Sequence, residues 1–133
     1  MASIEMSHSG FASPATDHAT NPIDLNKELI QHPETTFFAR IEGDALSDVG
    51  VYDSDLIVID RSLTFCENDL VVCYLNGAFD IKFVHYDKNG SIFLTSSDPE
   101  QASYTFETTP DLMLWGVITH IIHRPNKKRQ CTV

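Results

Sequence analysis

The chain has 133 residues, 42% hydrophobic and 21% charged, with nine Lys+Arg against nineteen Asp+Glu for a formal net charge of −10. That length fits one domain with a real core, and the acidity argues against direct binding to nucleic acid, whose phosphates require a basic face. No apolar run approaches the roughly 20 residues of a membrane span, and the N-terminus lacks the basic-then-apolar pattern of a secretory signal.

Residues 1–23 read as an extended arm of Ser, Thr, His, Ala and Pro, with neither a helical nor a strand period in the apolar positions. Asp24 is placed to cap a short helix carrying Leu25 and Leu29 on one face, with Pro33 stopping it soon after Gln31. Strand texture follows at 35–41, 55–60, 69–76, 78–86, 91–95, 102–106 and 112–123, in runs rich in Val, Ile, Phe and Tyr. Asn76-Gly77 between two apolar runs predicts a hairpin, and 87–90 a second tight turn. The alternating run 112–123 is expected at a sheet edge, where a second copy could pair with it. Many short strands and one small helix predict a mainly β fold, a single curled antiparallel domain over 24–124, followed by a polar, basic tail at 125–133.

The three cysteines, Cys66, Cys73 and Cys131, are odd in number and lack C-x-x-C spacing, so neither a disulfide framework nor a zinc knuckle is expected. Cys73 sits in an apolar run and reads as a core thiol, the other two as free and exposed, and a reducing cytoplasm is the expected setting. His120-x-x-His123 has helical metal-ligand spacing, but on a strand those side chains point to opposite faces. The acidic cluster of Glu42, Asp44, Asp48, Asp53, Asp55 and Asp60 lacks the glycine and terminal glutamate of a calcium loop and reads as solvated. No G-x-S-x-G elbow is present. Lys82 is different, because it interrupts the apolar strand Phe79-Asp80-Ile81-Lys82-Phe83-Val84. A strand lysine ordinarily faces water. A desolvated one can lose its charge and serve as a general base.

A nucleophile partner is suggested by Gly43-Asp44-Ala45-Leu46. Together with Ile23-Asp24-Leu25-Asn26, Leu29-Ile30-Gln31-His32-Pro33, Asp53-Ser54-Asp55-Leu56-Ile57-Val58, Gly77-Ala78-Phe79-Asp80-Ile81-Lys82 and Trp115-Gly116-Val117-Ile118, it resembles the LexA/UmuD family of self-cleaving, S24-like serine peptidases. The resemblance runs over nearly the whole chain from Gly10. It implies a β-clip fold like that of LexA and the signal peptidases. It also implies a Ser-Lys dyad in which a serine within G-D-S-M attacks and a lysine on a later strand is the base. The matching positions are Ala45 and Lys82, reached without a gap, and alanine cannot be a nucleophile. Either a serine was replaced to trap an uncleaved form or the chain is a naturally inactive relative; the retained Lys82 and arm favour replacement.

The same resemblance places the self-cleavage bond at Ser9-Gly10 and assigns backbone N–H groups of Gly43, Asp44 and Ala45 to the oxyanion. No metal or other cofactor is implied. The implied role is in SOS mutagenesis. A RecA–single-stranded DNA filament promotes self-digestion, and the processed homodimer joins a UmuC-like, Y-family translesion polymerase, reaching DNA only through partners. Two rivals stand beside it: a non-catalytic module for dimerisation and polymerase docking, and a fragment of a LexA-like repressor.

Overall fold

The computed structural model describes residues 22–97 and 103–126, so the Ser9-Gly10 bond, most of the arm, Cys131 and most of the basic tail lie outside the described residues. The chain divides into two compact units, Met1–Pro33 and Glu34–Val133. In the first, α1 (Leu25–Leu29) is one short helix. The Asp24 carboxylate caps it by accepting the Asn26 N–H at 3.0 Å. It ends at Leu29, two residues before Gln31, because β-branched Ile30 is already extended at φ −120° while its N–H still closes on the Asn26 carbonyl.

The second unit is one antiparallel sheet of β1 (Thr36–Arg40), β2 (Leu56–Asp60), β3 (Leu70–Leu75), β4 (Ala78–Tyr86), β5 (Ile92–Thr95), β6 (Ser103–Tyr104) and β7 (Met113–Ile122). Their spatial order is β1-β2-β7-β3-β4-β5-β6. The mainly antiparallel β fold expected from the strand texture is the fold observed. Local chemistry explains the hairpins. Asn76 and Gly77 both take positive φ, 53° and 85°, as the turn between β3 and β4 requires. The Asp87 carboxylate accepts the N–H groups of Asn89 and Ser91 at 2.8 and 2.9 Å, closing the turn from β4 to β5.

Strand alternation builds a core on each face. Val72 and Ile118 join Val49, Val51, Ile57, Ile59 and Ile81 in one cluster. Their neighbours Val71 and Val117 join Cys73, Leu75, Val84, Leu94 and Leu112 in the other. The register of β7 shifts against β2 at Val58/Ile59 and against β3 at Val72/Cys73. Such bulges bend and twist the strands that carry them.

Two expectations need correction. The strand expected at an edge, β7, runs between β2 and β3, and the outer strands among the described residues are β1 and β6. Its centre, Gly116-Val117-Ile118, is buried throughout, and its backbone is paired on both sides, so no second copy can add to it there. The acidic cluster is not uniformly solvated, because Asp55 and Asp60 are buried. The Asp60 carboxylate accepts from the Thr35 and Ser62 hydroxyls and the Ser62 N–H at 2.7–2.8 Å. Asp55 accepts the Tyr52 N–H at 2.9 Å and lies 2.6 Å from His123 Nδ1. Buried carboxylates survive only with such partners. No helix among the described residues is long and apolar enough to cross a membrane.

Candidate active site

The segment carrying position 45 is a tight loop held from both ends. Gly43 adopts φ +82°, a conformation glycine takes without steric cost. Its N–H donates to Asp53 Oδ1 at 2.6 Å, and the Asp53 N–H donates to Asp44 Oδ1 at 3.2 Å, so the two loops clasp each other. The Ser47 N–H closes on the Asp44 carbonyl at 3.2 Å, leaving exposed Ala45 inside the turn. A single 3₁₀ turn, Ser47–Val49, follows and ends at Gly50. Buried Val49 and Val51 pin it to the cluster containing Ile81, and the turn packs against β4. Hydrophobic anchoring thus packs the turn that follows position 45 against β4 at Ile81.

Of the three N–H groups assigned to the oxyanion, that of Gly43 is committed to Asp53. Among the described residues, those of Asp44 and Ala45 meet no acceptor. Ser47 is exposed and opens the 3₁₀ turn.

Lys82 is withdrawn from water, its side chain only 12% exposed. Alternation along β4 puts it on the face shared by Asp80 and Val84, opposite Ile81 and Phe83. Its Nζ donates to Ser96 Oγ at 3.1 Å, lies 3.4 Å from Asp80 Oδ2 and sits 5.7 Å above the Tyr104 ring. Next to it, burial pushes the Cys73 thiol up to about 12; the Asp80 carboxylate adds to this and the Lys82 charge opposes it.

Leu46 and β4 share a groove of about 360 Å³, whose lining includes Leu46, Phe79, Asp80, Ile81, Phe37 and Trp115. Phe37 and Phe79 meet Trp115 edge-on at 5.2 and 6.2 Å, and Arg61 stacks over the indole at 4.4 Å. The groove is apolar, with Asp80 the acidic group in its wall. Such a surface accommodates an extended apolar or small-residue segment.

Of the partners of Lys82, Asp80 is within reach of a local reading, since i and i+2 share a strand face, whereas Ser96 approaches only through the pairing of β4 with β5. A second polar network, on the other face of β4, was also missed. His85 joins Glu67 through Nδ1 at 2.8 Å and the buried Thr95 hydroxyl through Nε2 at 2.9 Å. Glu67 also accepts the Tyr86 N–H at 2.7 Å. The His85 bond, then the Tyr86 bond, holds the Glu67 carboxyl below its ordinary value. His120 and His123, the pair with metal-ligand spacing, have separate partners in Thr119 and Asp55.

Comparison with known proteins gives a consistent answer. The family described as Peptidase S24-like matches residues 3–119, a span that includes positions 9, 10, 45 and 82. Protein ImpA of Escherichia coli is 35% identical over 120 residues, covering 90% of this chain and 81% of that protein. Protein SamA of Salmonella typhimurium is 30% identical over 115 residues, covering 86% and 79%. Protein MucA of Escherichia coli is 29% identical over 117 residues, covering 87% and 80%. A family match over most of the chain, relatives matched over 79–81% of their length and the antiparallel β fold agree: this chain belongs to the S24-like peptidases, a family of self-cleaving serine peptidases.

Proposed function

We propose that this chain is a UmuD-like SOS mutagenesis protein in which self-cleavage is blocked at one atom, the missing hydroxyl of position 45. The observation that carries the reading is Lys82. A lysine only 12% exposed, on the same strand as buried Ile81 and Val84, is costly to keep unless it is paired or serves a purpose. It stands on the strand against which the 3₁₀ turn following position 45 is packed.

In the parent chemistry, a serine at position 45 would attack the Ser9 carbonyl while the neutral Lys82 amine took its proton. The N–H groups of Asp44 and Ala45 are the donors left for the oxyanion, since that of Gly43 is bonded to Asp53. Collapse would pass the proton from Lys82 to the departing Gly10 amine and leave an ester. Water would then hydrolyse the ester and regenerate the hydroxyl. Alanine stops this before the first bond forms, so the chain keeps its arm. Its work is then that of an uncleaved homodimer, engaging the RecA–single-stranded DNA filament and the UmuC-like polymerase subunit without being processed by them.

Restoring the hydroxyl tests the reading. Ala45→Ser should release a fragment beginning at Gly10 at alkaline pH, and adding Lys82→Ala should abolish it. An Ala45→Ser chain that stays intact at every pH would overturn the proposal.

A further inference from the structure

We infer that His123 is a positioning residue for position 45: from the end of β7 it grips Asp55, and through Asp55 it fixes the turn that clasps the loop bearing the nucleophile position. The inference rests on the reading of position 45 given above and adds to it the part of the fold that sets that loop. Antiparallel register explains the contact. Leu56 of β2 pairs with Ile122 of β7, so the residues one step beyond, Asp55 and His123, face each other across the strand ends. The Asp55 side chain is only 1% exposed, and its Oδ1 lies 2.6 Å from His123 Nδ1. A carboxylate accepts and does not donate, so Nδ1 carries the proton of this bond. The Tyr52 ring stands 5.6 Å from the imidazole and backs it.

From Asp55 the contacts lead to position 45 without a break. Asp55 Oδ2 accepts the Tyr52 N–H at 2.9 Å and the Asp55 N–H donates to the Tyr52 carbonyl at 3.1 Å, which closes the turn 52–55. Within it Ser54 takes φ 70°, a left-handed conformation that is costly for a residue with a Cβ and persists only where its surroundings hold it. This turn then ties down the loop before position 45. The Ile41 N–H donates to the Asp55 carbonyl at 2.9 Å, and the Ser54 N–H to the Ile41 carbonyl at 2.7 Å. Asp53 takes the Gly43 N–H at 2.6 Å and gives its own to Asp44 Oδ1 at 3.2 Å. Gly43 and Asp44 immediately precede position 45, and Asp44 and Ala45 carry the N–H groups left for the oxyanion. Acyl transfer needs such atoms within about 0.5 Å of their working positions. Without the imidazole, the buried carboxylate loses a charge-assisted partner and turns toward water, and the strained turn it closes loosens with it.

The first arm of the test uses the chain with Ala45 in place and needs no cleavage. Backbone amide exchange is read by NMR at one pH in the parent, His123→Leu and His123→Asn, whose Nδ2 stands where Nδ1 does and can donate the same bond. His123→Leu should speed exchange at Tyr52, Gly43 and Asp53 about tenfold and leave Val72 in β3 unchanged, and His123→Asn should restore the parent rates. If His123→Leu does not fold, His123→Ala, which admits water to the carboxylate but supplies no tether, carries the same measurement. Unchanged exchange at Gly43 and Asp53, equal acceleration at Val72, or no rescue by asparagine would each overturn the inference. In the second arm, Ala45→Ser/His123→Leu should release the fragment beginning at Gly10 about tenfold more slowly than Ala45→Ser, with Ala45→Ser/His123→Asn close to the latter. A cleavage rate indifferent to residue 123 would also overturn it. An Ala45→Ser chain that never cleaves would overturn the proposed function instead, while the exchange arm would still decide whether His123 holds the loop.

Discussion

Gly116→Ala should destabilise this sheet although it adds only one methyl group. Gly116 lies at the buried centre of β7, where β2 and β3 both pair with the strand. A Cβ there would meet Ile59 Cγ2 at 2.7 Å, Arg61 Cγ at 3.3 Å and the Asp60 carbonyl at 3.5 Å. Reaching the 3.4 Å at which ordinary contact begins requires Ile59 to yield by about 0.7 Å. Ile59 cannot yield easily, because its side chain is β-branched, buried and packed in the cluster with Val49, Val51 and Ile118. Overpacking of this kind costs about 1–3 kcal/mol, and the lower chain entropy of alanine offsets about 0.5–1 kcal/mol of it. The net loss of about 1–2 kcal/mol corresponds to a fall in Tm of roughly 4–10 °C for a domain of this size. Thermal and urea unfolding followed by far-UV circular dichroism will measure it. Ile59→Ala alone should cost about 2–5 kcal/mol. Because it removes the clashing methyl, the double variant should be about 1 kcal/mol more stable than the sum of the singles. A Gly116→Ala protein as stable as its parent, or a strictly additive cycle, would refute the packing argument.

Two further outcomes follow from the titrating groups. The Cys73 thiol, pushed up to about 12 by burial, should resist alkylation in the folded protein while exposed Cys66 reacts, and peptide mapping of the modified chain separates them. Modification of Cys73 at the rate of Cys66 would show that strand β3 opens. Glu67, lowered chiefly by its bond to His85, contributes stability that is present above the ordinary carboxylate value of 4.5 and lost as pH falls through its lower folded value. Glu67→Gln should therefore flatten the stability-versus-pH curve in that acidic window, and an unchanged slope would count against the clasp.

How much of this was readable in advance depends on whether the determining interaction is local. The strand 78–86 coincides with β4 because the Asn76-Gly77 turn fixes both its start and the twist of the hairpin. Asp24 caps α1 for an equally local reason. The place of β7 was not readable. Its alternation suits an edge, whereas its insertion between β2 and β3 depends on partners distant in sequence. Strand 102–106 shrinks to Ser103–Tyr104, since the Thr105 N–H and hydroxyl turn instead to the Thr108 side chain at 3.2 and 2.9 Å. At the site, Ala45 and Lys82 are read from the family pattern rather than from any local interaction. The reason Asp55 and Asp60 are buried was not, because their hydroxyl, backbone and imidazole partners come from separate segments. The same holds for the grip of Ser96 on Lys82, which exists only once β4 and β5 pair.

The claim that the site lacks its nucleophile is tested most directly on the unaltered protein. The intact 14.9 kDa chain is incubated for days at alkaline pH, with and without RecA filaments on single-stranded DNA, and its mass is followed. A single species of unchanged mass is expected under every condition, because neither a neutral lysine nor a filament supplies an attacking atom at position 45. A fragment beginning at Gly10 would mean that another group performs the attack, and would contradict the assignment of position 45.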